Sequence, residues 1–105
     1  MARLLLILTL ETNLIKEADR LKSVVITSAV RTPIGKIGGV FKDILPEKMT
    51  SLVIQEAVEK SGIEKTVVDE IIIGQTKQST DAPNIARVSA LGAGFPEEIP
   101  AYTIH

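Results

Sequence analysis

Two glycine-containing stretches of this sequence could, by composition, bind phosphate. Gly35 and Lys36 resemble the end of a phosphate-binding P-loop, but that motif also needs a glycine five residues before Gly35 and a serine or threonine after Lys36. Val30 and Ile37 occupy those two positions. Neither the segment 35–38 nor the segment 92–94 supplies the third glycine of a dinucleotide-binding fingerprint. The sequence therefore does not predict a nucleotide site.

Nucleophilic and metal chemistry are limited by the absence of cysteine and by a single histidine, His105. Without cysteine there are neither disulfides nor thiolate metal ligands, and one imidazole makes no cluster. A serine nucleophile needs a base within reach, and we expect His105 to be structural or solvent-facing. The acidic pairs at 69–70 and 97–98 lie at a predicted strand start and in a predicted turn, where adjacent carboxylates rarely converge, so we expect both to be solvated.

Two arginines are better candidates for a specific role. Arg31 follows a predicted strand, and ligands collect at the carboxyl ends of strands in open α/β sheets. Arg87 lies on a predicted helix that is otherwise rich in apolar residues. Both could position a loop or a partner subunit through bidentate hydrogen bonds, or could be surface guanidiniums with buried stems. We favour positioning over substrate contact.

The segment before and after Arg31 predicts a strand followed by a constrained turn. Residues 24–30 are mostly β-branched and apolar, which suits a strand covered on both faces. Pro33 ends the strand. Gly35, Gly38 and Gly39 then allow a tight turn or a close backbone approach, which makes these glycines candidates for a structural role.

Two helices and two further strands follow. Pro46 suits the first turn of a helix, Gly62 suits its end, and the expected buried stripe is Met49, Leu52, Val53, Ala57 and Val58, widened by Ile54. The remaining elements are a strand at 69–74, a helix at 84–93 capped at or beside Asp81, and a strand at 100–104.

The resulting order is strand, helix, strand, helix, strand. Parallel pairing through crossover helices is the expected arrangement, so the sequence predicts an α/β fold, β-α-β-α-β, with a mostly parallel sheet.

The first 22 residues differ in character from the rest. Residues 4–10 form an apolar run too short to span a bilayer, and no small-residue cleavage site follows. Residues 14–21 show helical spacing of apolar side chains. We interpret 1–22 as an atypical N-terminal extension or leader, the alternatives being an extra strand or helix packed on the domain, or a targeting segment. Residues 23–105 form the predicted domain.

Composition narrows the function classes. With 45% hydrophobic and 24% charged residues and a net charge of −1, the chain fits a soluble globular protein and lacks the basic face that nucleic-acid binding requires. No membrane span is expected, and the lack of cysteine fits a cytoplasmic protein.

Four blocks, in order, resemble the N-terminal part of the thiolase family. Residues 28–36 with Gly38 and Gly39 resemble the thiolase N-terminal signature, and 68–74 the second strand of that domain. Residues 81–87 resemble the Asn-Pro-Ala-Arg helix start, with Pro and Asn exchanged and Ile85 added. Residues 94–101 resemble the approach to the third strand. The resemblance covers about 24–105 and implies a partial thiolase-like N-terminal domain, incomplete relative to the family fold.

The resemblance also implies a chemistry that these residues do not themselves contain. Thiolases transfer acyl groups between acetyl-CoA and acyl-CoA, forming or cleaving 3-ketoacyl-CoA through an acyl-cysteine. The nucleophilic cysteine would lie just beyond His105, at a helix N-terminus that favours the thiolate. No catalytic residue is carried over, and no cofactor is expected on this piece. Coenzyme A thioesters would be substrates of the full-length enzyme, and a homodimer or homotetramer its assembly.

Two functions remain open, while the thiolase-like block at 31–35 argues against a third, a related enzyme of the same superfold such as a ketoacyl synthase. In the first, the chain is the N-terminal piece of a thiolase-type acyltransferase of fatty acid metabolism, with the remainder of the thiolase chain as its partner, and is inactive and poorly stable alone. In the second, it is a non-catalytic thiolase-like module that binds a partner through the surface where the rest of the fold would pack.

Overall fold

The computed structural model of the chain describes residues 7–9 and 23–105. In these residues the elements follow the order β1 (Ile7–Thr9), β2 (Val24–Ile26), α1 (Pro46–Ser61), a 3-10 turn (Lys65–Val67), β3 (Ile71–Gly74), α2 (Ile85–Gly92) and β4 (Ala101–Ile104). The predicted α/β class and the order of elements from residue 24 onward are confirmed. Apart from β1, the predicted N-terminal extension and its helix at 14–21 lie outside the described residues.

The parallel sheet consists of β3 and β4, paired from Ile71 with Ala101 to Gly74 with Ile104. The strand predicted over 24–30 is shorter than expected and does not join the parallel sheet. Instead, β2 pairs antiparallel with β1 in a separate sheet, with Ile7 opposite Ile26. Val24, Val25 and Ile26 are 64%, 40% and 66% exposed. The expectation that this strand is covered on both faces is therefore wrong in this structure, whose parallel sheet has two strands.

Helix α1 begins at Pro46, and Gly62 ends it as predicted, in a left-handed conformation (φ 72°) whose N–H donates to Glu59 O. The expected buried stripe needs two corrections: Leu52 is 64% exposed, and Met49 is only partly buried. The stripe runs instead at i, i+3, i+4, i+7 and i+8 from Thr50, a polar residue that stays buried because its hydroxyl donates to Pro46 O at 2.8 Å. The buried residues of α1 are Thr50, Val53, Ile54, Ala57 and Val58.

Helix α2 crosses α1 closely through small residues. Ser51 Oγ donates to Ser89 O at 2.9 Å, and Ser89 Oγ donates to Glu47 O at 3.1 Å. A Cβ atom on Gly92 would lie 2.9 Å from Ser51 Oγ. Ser89 is fully buried, and its hydrogen bonds offset the cost of removing a hydroxyl from water.

The core lies between the two helices and one face of the β3–β4 sheet. Ile71 and Ile73 point into it from β3, and Phe95 closes it after α2. The other face of the sheet carries Ile72, Tyr102 and Ile104, which are 39%, 41% and 54% exposed. The helices therefore cover one side of the sheet and leave an apolar side open.

Candidate functional site

The carboxyl ends of β3 and β4 lie side by side at one edge of the sheet. Gln75 N donates to Ile104 O at 2.9 Å, and His105 Nδ1 lies 3.0 Å from Gln75 O. His105 thus contacts backbone and is exposed, and its role as a structural or solvent-facing residue remains a prediction. In parallel sheets this is the edge at which ligands and catalytic residues gather.

An open cleft of about 500 Å³ lies at the same edge. Its volume is within the range of small-ligand pockets. Its walls come from the loop after β2, the start of α1, the end of β3 with the residues that follow, and α2. The lining residues are Thr32, Pro33, Ile34, Gly35, Phe41, Pro46, Met49, Thr50, Ile73, Gly74, Gln75, Thr76, Lys77 and Ile85.

Gln75 connects the sheet edge to the cleft. Its backbone is fixed on both sides by Ile104 and His105. Its side-chain Oε1 is buried and has no hydrogen-bond partner among the described residues. A buried acceptor without a donor is costly and uncommon in native structures. Gln75 therefore stands out as a residue whose side-chain oxygen lacks a hydrogen bond. No feature of the sequence singles out this residue.

Of the three glycines predicted to shape the loop, Gly35 lines the cleft, and Gly38 and Gly39 follow it in the same loop. A Cβ on Gly35 would approach Phe41 Cδ2 to 2.5 Å, so the ring packs where only a glycine fits. Gly38 has a φ of 69°, which favours glycine. Gly39 N donates to Lys36 O at 2.9 Å and closes the turn. These geometries are consistent with a structural role, which remains a prediction.

The two arginines have different surroundings. Arg87 Nη1 donates to Ile99 O at 3.0 Å and its Nη2 to Glu97 O at 2.9 Å, so one guanidinium fixes the segment that leads into β4. Arg31 is exposed, and its Nη1 donates to the carbonyl of the adjacent Thr32 at 3.2 Å. The structure therefore brings Arg31 near the cleft loop and places Arg87 at the opposite, amino end of β4.

Asn84 is a residue whose importance the sequence did not reveal. It is the N-cap of α2, and its Oδ1 accepts from Arg87 N at 3.2 Å and from Thr103 Oγ1 at 2.9 Å. Its Nδ2 donates to Ala101 O at 3.1 Å. The expectation of a cap at or beside Asp81 is corrected to Asn84. An asparagine three residues before Arg87 matches the spacing of an N-cap to N3 bond and could have indicated this.

Acidic and aromatic groups add little chemistry of their own. Tyr102 OH donates to Glu70 Oε2 at 3.1 Å. Desolvation, followed by this hydrogen bond and the negative charge of Glu70, raises the pKa of Tyr102. Glu97 and Glu98 are exposed, as expected.

In the described ranges no three His, Asp or Glu side chains are grouped to hold a metal ion. In the same ranges no helix is long and apolar enough to cross a bilayer.

Comparison with known proteins gives consistent matches over the same region. The family described as "Thiolase, N-terminal domain" matches residues 24–105. A probable acetyl-CoA acyltransferase of Staphylococcus aureus is 38% identical over 82 residues, which is 78% of this chain and 21% of that protein. A second, from Staphylococcus epidermidis, is 39% identical with the same coverage.

A solved structure agrees with these sequence matches. The crystal structure of the Bacillus anthracis acetyl-CoA acetyltransferase aligns with a TM-score of 0.73 at 50% identity, over 76% of this chain and 20% of that chain. The chain thus spans about one fifth of the length of the proteins that it matches.

Proposed function

The chain belongs to the thiolase family as an N-terminal domain, homologous to acetyl-CoA acyltransferases, and from this premise we propose that it supplies the N-terminal part of a thiolase-type acyltransferase. The whole enzyme transfers an acyl group between acetyl-CoA and acyl-CoA through a cysteine nucleophile. Covalent catalysis of this kind divides one difficult step into two easier ones. The observation that carries the proposal is the match over 24–105, with the fold aligned at 50% identity.

The residues of this chain contribute a scaffold to that reaction. The sequence has no cysteine, so the acyl-accepting thiolate comes from a residue outside these 105. Asn84, Arg87 and Thr103 fix α2 against β4, and β4 ends beside Gln75. In the proposed enzyme, these contacts would support the sheet edge from which the helix of the nucleophile continues.

The open side of the β3–β4 sheet supports the rest of a thiolase chain as the partner. Parallel strands are found almost only in sheets covered on both faces. Here Ile72, Tyr102 and Ile104 form an uncovered apolar surface. The partner chain would cover this surface, and coenzyme A thioesters would be the substrates of the completed enzyme. Homodimeric or homotetrameric assembly, a cytoplasmic location and a role in fatty acid metabolism belong to the same proposal.

The proposal is tested with two proteins. The 105-residue chain alone should cleave no acetoacetyl-CoA in the presence of coenzyme A. In a chimera, residues 24–105 replace the aligned 82 residues of the Staphylococcus aureus relative. This chimera should retain thiolysis of acetoacetyl-CoA, which is measured as the loss of enolate absorbance. A folded but inactive chimera, or thiolysis by the chain alone, would contradict the proposal.

A further inference from the structure

The cleft at the carboxyl edge of the sheet has a composition that suits a polypeptide better than a charged small molecule. Among the described residues that line it, Lys77 is the one charged side chain, and most of the others are apolar, including Phe41, Met49 and Ile85. Sites that orient a small anionic ligand combine an apolar pocket with convergent charged and polar groups. A single lysine at the end of a flexible stem does not form such a set.

The rim of the cleft points to the same kind of occupant. Ile34 lines the cleft and is 75% exposed, and Ile37 and Val40 of the same loop are 104% and 81% exposed. Large apolar side chains exposed together mark a surface that another polypeptide covers. About four fifths of the length of the matched relatives lies outside the region that this chain spans. The polypeptide in that remaining part is available to cover these exposed side chains.

Gln75 adds a directional contact to this apolar surface. Its backbone is hydrogen-bonded to Ile104 and to His105, which holds this residue in the lining of the cleft. Its Oε1 is buried and unpartnered within the described part of the chain. Turning the amide over would replace a buried acceptor by a buried donor, which leaves the contact equally unfinished.

We propose that this cleft is the docking site of an apolar polypeptide segment from the part of a thiolase chain that lies outside residues 24–105, and that Gln75 Oε1 accepts an N–H from that segment. The inference rests on the proposed function and specifies which surface of the chain the remaining polypeptide engages. Docking lets the walls of the cleft adjust around the new segment and supplies the donor that Gln75 lacks. The free chain is thereby kept less stable than the completed fold.

The test compares Gln75→Met in two contexts, the 105-residue chain and the chimera described above. Methionine keeps the length of the side chain and removes the acceptor. In the free chain the substitution should raise the midpoint of thermal unfolding, by about 4 °C or more, since an unsatisfied buried acceptor is removed. In the chimera it should lower the midpoint by a similar amount, because the N–H of the docked segment is then left without an acceptor.

The matched control is Gln55→Met, the same chemical change at an exposed position on α1, which should leave both midpoints unchanged. The inference would be overturned if Gln75→Met lowered the unfolding midpoint of the free chain. It would also be overturned if the substitution shifted the midpoint in the same direction in the free chain and in an active chimera. Either result would leave the proposed function intact. A chimera that does not fold or has no activity would overturn the proposed function and the docking segment together.

Discussion

Thr103 of β4 and Asn84 of α2 are joined by a hydrogen bond of 2.9 Å from the threonine Oγ1 to the asparagine Oδ1. The same threonine hydroxyl accepts Ala86 N–H at 3.2 Å. A residue near the end of the last strand is thereby tied to the first turn of a helix 17 positions earlier in the chain. The position of the sheet edge beside the cleft depends on this contact.

Asn84→Ala should destabilise the chain, because it removes the N-cap acceptor and the bond to Ala101 O together. We expect a loss of about 2 kcal/mol in the free energy of unfolding, the upper end for a cap. Urea unfolding followed by circular dichroism measures it. Asp81→Ala is the control, since this exposed residue is not the cap. Equal losses for the two variants would show that the assigned cap is wrong.

Gly92→Ala should destabilise the crossing of the two helices. The new methyl group would lie 2.9 Å from Ser51 Oγ, which is held by its bonds to Glu47 O and Ser89 O. We expect a net loss of about 1 kcal/mol from overpacking.

The double variant Gly92→Ala with Ser51→Ala distinguishes this cause from others. Removing the hydroxyl makes room for the methyl group, so the double variant should lose clearly less than the sum of the two single losses. Additive losses would mean that Ser51 and Gly92 do not limit the approach of the helices.

Arg87→Lys should loosen the segment that leads into β4. A lysine ammonium cannot reproduce the two-carbonyl contact of the guanidinium with Glu97 and Ile99. We expect amide hydrogen exchange at Ile71, whose N–H donates to Pro100 O at 2.9 Å, to become about five to ten times faster. Arg31→Lys is the matched control and should leave this exchange rate unchanged. Faster exchange in both variants would indicate a general effect of replacing arginine.

Titration of Tyr102 provides a pH-dependent prediction. Desolvation and then Glu70 raise its pKa above the usual value of 10.0. The folded form holds the phenol proton more tightly than the unfolded form, so the raised pKa adds to the free energy of unfolding. This addition is complete below pH 10.0 and is lost as the pH rises through the pKa of the folded form. Tyr102 is the single tyrosine of the sequence, so tyrosinate absorbance reports it alone.

Two variants separate the causes of this shift. Glu70→Gln should move the titration toward the usual value, since it removes the negative charge while keeping a side chain that accepts the hydrogen bond. Tyr102→Phe should abolish this part of the decline in stability at alkaline pH. A titration that does not respond to Glu70→Gln would mean that the contact with Glu70 does not influence the phenol.

The sequence predicted those features of the fold that local chemistry determines. Gly62 at the end of α1 and Pro46 at its start were correctly placed, because a left-handed cap and a fixed φ are properties of the residues themselves. Leu52 was misplaced on the buried stripe because Thr50, although polar, satisfies its hydroxyl within the helix.

Features that depend on distant residues could not be predicted in this way. The pairing of β2 with β1 depends on a strand that begins 17 residues earlier in the chain, with Ile7 opposite Ile26. The cleft combines four separate segments. The unpartnered Oε1 of Gln75 depends on the position of every nearby donor, which no spacing in the sequence reveals.

The most direct test of the central claim is to read the coding sequence past the codon for His105. Our proposal predicts an open frame with a cysteine codon within a few residues, in a segment that opens a helix, because it places the acyl-accepting thiolate just after β4. A reading frame that continues without such a cysteine, or a stop codon directly after His105, would contradict the assignment to a cysteine-dependent acyltransferase. Either result would favour a non-catalytic thiolase-like binding module.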